Sequence, residues 1–247
     1  MTSRRLLTSL FCLSVLAAGG CASMTPGKLA AVQPYSDEPR AGNVYLLRGW
    51  IGIFSYGINR LGDKLNDAGV RSNVFQEDQW HDLAMAIKKK YGNGQNHEPL
   101  VLVGHSFGAD DTLRVSKELA DAGISVDLVI TLDPVTPPEV PANVKRCYNL
   151  YQSNGAWDKL PLFRGVPLKP VEGSRGEVKN VDVRKDRTDL LEPGTDHFNI
   201  EKKGKIHGEV LRQVLITCPP RAVWAQTHGG PPPATPVYAT QNITKPQ

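Results

Sequence analysis

The stretch from Leu100 to Asp111 reads Leu-Val-Leu-Val-Gly-His-Ser-Phe-Gly-Ala-Asp-Asp, and it constrains the fold more than any other. Four apolar residues specify a buried strand, and Gly104-His105-Ser106-Phe107-Gly108 then demands a sharp turn. Helical spacing resumes at once, with Ala109, Leu113 and Ala120 on one side and Lys117 and Glu118 on the other. A serine between two such glycines, joining a strand to a helix, is held in a strained conformation that keeps its hydroxyl out of the sheet. The hydroxyl then lies at the positive end of the following helix. A glycine-rich turn without chemistry is the plainer reading of the five residues, and the strand before them and the helix after them argue against it.

The flanking segments alternate in the same manner. Residues 43–47 form an apolar run followed by Arg48-Gly49-Trp50-Ile51-Gly52. Ile58, Leu61, Leu65 and Ala68 mark a helix that Gly69 ends, and residues 70–75 read as a strand. Trp80, Leu83, Ala84, Ile87 and Tyr91 follow helical spacing up to Gly92-Asn93-Gly94. Residues 126–132 form an apolar strand broken only by Asp127 and Thr131; 146–152 alternate, 178–184 more weakly, and Ile206, Val210 and Val214 mark a last helix. Strands and helices of these lengths predict a mainly parallel, doubly wound sheet covered on both faces, a three-layer α/β/α sandwich. At 247 residues there is room for one such domain, expected over 42–220.

The ends read differently. Arg4-Arg5, the apolar run from Leu6 to Ala18 and Gly19-Gly20-Cys21 describe an export signal over residues 1–20, too short to span a bilayer permanently. Small residues directly before Cys21 resemble a bacterial lipoprotein cleavage site, which would make Cys21 a lipidated anchor. Ordinary signal cleavage nearby is the other reading, since Ala18 stands where such sites usually carry Leu. Residues 21–41, with Pro26, Gly27, Pro34 and Pro39, read as a tether, and 221–247, with Pro231-Pro232-Pro233, as a disordered tail.

Over roughly Asn43 to Cys218 the chain resembles α/β-hydrolases of the serine esterase and lipase kind: Gly104–Gly108 matches their G-x-S-x-G nucleophile elbow. The resemblance implies Ser106 as nucleophile, and the little sequence left between the last strands predicts an open site without a large cap. It also implies an oxyanion hole from the N–H of Phe107 and an N–H of the loop after the first strand, here Trp50, although many lipases have His-Gly where this chain has Arg48-Gly49. Of six histidines, His197 lies in Glu192-Pro193-Gly194-Thr195-Asp196-His197-Phe198, after the last strand and before the last helix, where the family carries its base. His81, His97 and His228 fall elsewhere, His105 is expected to point away from the site and His207 to face solvent. For the acid, Asp133 ends the strand after the elbow helix, and an acid at such a tip points into the ligand crevice. Leu132-Asp133-Pro134 also resembles the acid motif of pancreatic-type lipases. Most of the family places the acid one strand later, where Asp158 is the second choice; a turn-forming role for Asp133 before Pro134 also stands.

The substrate class implied is an ester or lipid. The apolar residues Trp50, Ile51, Ile53 and Phe54 fit an acyl group as well as ordinary core packing. A non-catalytic lipoprotein of the same fold, binding acyl ligands or envelope partners, is the alternative. The formal charge of +4, two of it from Arg4 and Arg5, and the lack of a basic stripe interleaved with aromatics exclude a nucleic-acid partner. No metal-ligand spacing and no phosphate loop are present, so no cofactor is expected. Cys12 falls in the signal. In this fold Cys147 and Cys218 both lie opposite the active site, either joined in a disulfide worth about 3–4 kcal/mol in the chain-entropy model or buried as separate thiols.

Overall fold

The computed structural model describes residues 27–49, 55–92, 97–155 and 165–228. Trp50, Asp158, Cys21 and the export-signal region therefore lie outside the described residues. The apolar runs become six strands: β1 (Asn43–Leu47), β2 (Arg71–Phe75), β3 (Leu100–His105), β4 (Leu128–Leu132), β5 (Arg146–Tyr151) and β6 (Glu177–Asp182). Their spatial order is β2-β1-β3-β4-β5-β6, with every neighbouring pair parallel. Among the described residues five α-helices accompany them: α1 (Tyr56–Asp67), α2 (Trp80–Tyr91), α3 (Phe107–Ala120), α4 (Gly204–Thr217) and α5 (Arg221–His228).

The period-two alternation of a strand divides each apolar run between two layers. Val44 and Leu46 of β1 cluster with Ile58, Leu61 and Leu65 of α1 and with Ile206, Val210 and Val214 of α4. Tyr45 and Leu47 cluster instead with Leu83 and Ile87 of α2 and Leu113 and Leu119 of α3. Each fully buried leucine contributes about 1.5–3 kcal/mol, so these two clusters hold the sandwich together. The architecture is a doubly wound, three-layer α/β/α sandwich with an all-parallel sheet. Because β1 lies between β2 and β3, the strand order reverses there, and in open α/β sheets the C-terminal ends of the strands at such a reversal are where ligands bind.

Two expectations are corrected, and the choice left open for the two cysteines is decided. Residues 27–41 are not simply a tether: Val32 is buried in the α2/α3 layer, and Gly27 N donates to Val74 O at 2.5 Å. The ordered chain continues beyond residue 220 as α5, because Pro219-Pro220 ends α4 without preventing a new helix from starting. Cys147 and Cys218 are both free. Cys147 belongs to the α2/α3 layer and Cys218 to the α1/α4 layer, so the sheet separates them. Burial pushes both thiols up to about 12, which leaves them unreactive.

Candidate active site

The turn after β3 is strained as its sequence demands. Ser106 has φ 58° and ψ −125°, one of two non-glycine residues with positive φ among those described. A Cβ on Gly104 would run into the carbonyl of Gly108, and one on Gly108 would run into the carbonyls of Leu47 and Arg48. Helix α3 thus starts hard against both β3 and the end of β1, an approach open only to glycine. Ser106 N donates to Leu132 O at 2.9 Å, fixing the turn to β4. Phe107 opens α3, so its N–H is among the first four that a helix cannot pair internally.

Two distant segments converge on this turn. Ser106 Oγ lies 3.0 Å from His197 Nε2, and both residues are buried. On the far side of the ring, Asp133 Oδ2 is 3.5 Å from His197 Nδ1. Asp133 is the second positive-φ residue, at φ 48°, and is wholly buried. Serine, histidine and aspartate, from the ends of β3 and β4 and the loop before α4, therefore lie in line. Asp196 instead shapes its own loop, accepting from Phe198 N at 2.9 Å, while its N–H donates to Asn199 Oδ1 at 3.0 Å.

Several polar residues that support this line carry no motif. Gln152, just past β5, donates to Asp133 twice: its backbone N–H to Oδ1 at 2.7 Å and its Nε2 to Oδ2 at 2.8 Å. Gln152 Oε1 accepts from Arg184 Nη2 at 3.2 Å, and the same nitrogen reaches Thr195 O, two residues before His197, at 3.3 Å. Gly165 passes over the carboxylate so closely that a Cβ there would collide with Asp133 Oδ1. Asp110 of α3 accepts from Val135 N at 3.0 Å, Thr136 N at 2.8 Å and Thr136 Oγ1 at 3.1 Å, pinning the turn after Asp133. Burial raises the Asp110 pKa, and these bonds to the charged form oppose the rise.

On the opposite flank, Gly49 N donates to Ser55 Oγ at 3.0 Å, and a Cβ on Gly49 would come within 3.0 Å of Ser106 Cβ. The Arg48 side chain is buried, and its Nε donates to Asn59 Oδ1 of α1 at 2.8 Å. Its Nη2 has no hydrogen-bond partner among the described residues, and burial lowers the guanidinium pKa. His105 does not point idly away. Its ring is buried between Ser55 and the carbonyl of His197. His207 is buried too, against expectation, because residues 200–202 fold over the start of α4 and Glu201 O accepts from its Nε2 at 2.6 Å. No group of three or more His, Cys, Asp or Glu able to hold a metal ion occurs among the described residues.

No protein-family model matches the chain, and no curated protein matches it. Among solved structures it is similar to Est1E from Butyrivibrio proteoclasticus, at 16% identity and a TM-score of 0.31 over 39% of this chain. The chain spans only 41% of that protein's length. It is also similar to a protein from Xanthomonas campestris pv. campestris described as a hydrolase of the alpha/beta superfamily, at 13% identity and a TM-score of 0.38. That match covers 70% of this chain and 99% of the other. The fold assignment rests on the strand order and the strained turn after β3 rather than on these likenesses.

Proposed function

We propose that the chain is a serine hydrolase of carboxylic esters, in which Ser106 is the nucleophile, His197 the general base and Asp133 the acid. The observation that carries this reading is the 3.0 Å contact between Ser106 Oγ, on a strained turn, and His197 Nε2, backed by a buried carboxylate. A neutral hydroxyl needs such a base. His197 Nε2 accepts the Ser106 proton as Oγ attacks the ester carbonyl, and returns it to the departing alcohol or thiol. Water then attacks the acyl-enzyme with His197 again as base, regenerating Ser106 and releasing the acid. Asp133 faces Nδ1 and favours the tautomer that leaves Nε2 free to accept.

The developing oxyanion is assigned to the N–H of Phe107 and that of Trp50. Gly49's N–H is already taken by Ser55, which supports a later residue as the donor of that loop. The sequence of residues 1–21 further supports export and a lipid anchor on Cys21. Changing Cys21→Ser should then move the protein from the membrane to the soluble fraction, and unchanged partitioning would remove the anchor.

The direct test is labelling of the folded protein with a fluorophosphonate probe. Wild type should label, and Ser106→Ala and His197→Ala should each abolish labelling. Folded wild type that stays unlabelled would overturn the hydrolase in favour of a binding protein with the same fold. A panel of p-nitrophenyl esters then sorts the acyl preference.

A further inference from the structure

The residue before the nucleophile joins three segments of the site. His105 Nε2 is 2.8 Å from the carbonyl oxygen of His197, and its Nδ1 is 2.9 Å from Ser55 Oγ. A carbonyl can only accept, so the proton on this ring belongs on Nε2. Nδ1 is then an acceptor and takes the Ser55 hydroxyl proton, and Ser55 Oγ in turn accepts from Gly49 N at 3.0 Å. The donor directions run one way, from the loop after β1, through Ser55 and the elbow, into the backbone of the general base.

Resting on the hydrolase reading, we propose that His105 is a positioning residue, which as the Nε2–H tautomer fixes both the His197 backbone and the Gly49 loop against Ser106. Its ring is 2% exposed and lies 5.4 Å from that of His197, centre to centre. A proton on His105 would sit beside the charge that His197 takes up in the transition state. Burial excludes that proton, holding the His105 pKa at about 3, with the His197 charge adding to the effect. His105 is therefore a neutral hydrogen-bonding part at neutral pH. The bond matters because His197 is carried on a loop, and a base displaced by about 1 Å can lose on the order of a hundredfold in rate.

The two ends of the ring can be separated by substitution. Gln places an amide nitrogen near Nε2 and so keeps the bond to His197 O, Asn places its oxygen near Nδ1 and keeps only the Ser55 bond, and Leu keeps neither. Labelling rate, kcat and KM on an activated ester, and thermal stability would be measured for His105→Gln, His105→Asn and His105→Leu. The expected pattern is kcat within about threefold of wild type for Gln and reduced about tenfold or more for Asn and Leu, with KM little changed. Loss of rate that follows thermal stability across all three, with no advantage for Gln, would make His105 a packing residue and overturn the proposal. Wild-type protein carrying 15N-histidine gives an independent reading. His105 should show the Nε2–H tautomer and no titration from about pH 5 to about pH 9, and an Nδ1–H tautomer or a titrating ring would equally overturn the clamp. Wild type that fails to label removes the hydrolase reading alone, because the tautomer still decides whether the clamp exists.

Discussion

At the scale of single residues, the site divides into groups that react and groups that hold them. The sequence announces the first kind because their chemistry comes with a pattern: Gly104 and Gly108 around Ser106, an acid at a strand tip, a histidine before the last helix. It does not announce Gln152, whose two bonds to Asp133 span 19 positions, or His105, whose partner is 92 positions away. A polar residue next to a strand looks the same whether it meets water or a buried carboxylate. Gln152→Met keeps the volume and removes the Nε2 donor, leaving Asp133 with a single Gln152 bond. We expect kcat on an activated ester to fall about tenfold with KM little changed, since the loss concerns orientation of the imidazole rather than substrate binding. A drop in KM affinity alone would place Gln152 on the substrate instead.

At the scale of elements, the alternation of strands and helices was legible, and the misread parts are those where two elements meet. β6 (Glu177–Asp182) has a weak pattern because it is an edge strand with one exposed side. His207 looked solvent-facing because nothing in the sequence says that residues 200–202 fold back over α4. That fold-back buries Glu201, whose only ion-pair neighbour among the described residues is Lys202, at 3.6 Å. Burial pushes the Glu201 pKa up to about 7 from its usual 4.5. A raised carboxylate binds its proton more tightly folded than unfolded, so stability declines as pH rises from about 4.5 to about 7 and is flat above, by on the order of 3 kcal/mol. His207, depressed by burial, works in the opposite direction below its unfolded value. The difference between Glu201→Gln and wild type cancels the histidine. Thermal melts should show the variant clearly more stable than wild type at about pH 8 and close to it at about pH 5. An equal shift at both values would mean that Glu201 does not ionise in this range. Gly57 shows how tight the contact is: a Cβ there would collide with the carbonyl of Glu201, so Gly57→Ala should destabilise α1 against this segment.

At the scale of the whole molecule, both ends of the described chain are tied to one buried carboxylate far from the active-site end of the sheet. Glu98, 1% exposed and two residues before β3, accepts from Ser36 N at 3.0 Å and Gly42 N at 2.8 Å. Arg221, the first residue of α5, pairs with both oxygens of Glu98 and also donates to Glu38 O at 2.8 Å. Arg40 completes the lock by donating to Cys218 O and Leu215 O, both at 2.8 Å. The proline-rich composition of both ends hid this, because a strap held by a few charged contacts has no hydrophobic period to betray it. Ending the chain after Pro220 removes Arg221 and leaves Glu98 without its cation. Breaking a buried pair in this way costs about 3–5 kcal/mol. Arg221→Ala in the full chain should reproduce most of that loss, and denaturant unfolding of the three forms would measure it. Equal stability for the chain ended after Pro220 would make the lock an ornament of the surface. Because Glu98 leads directly into β3, the loss should also raise hydrogen exchange in that strand, and through it loosen the turn that carries Ser106.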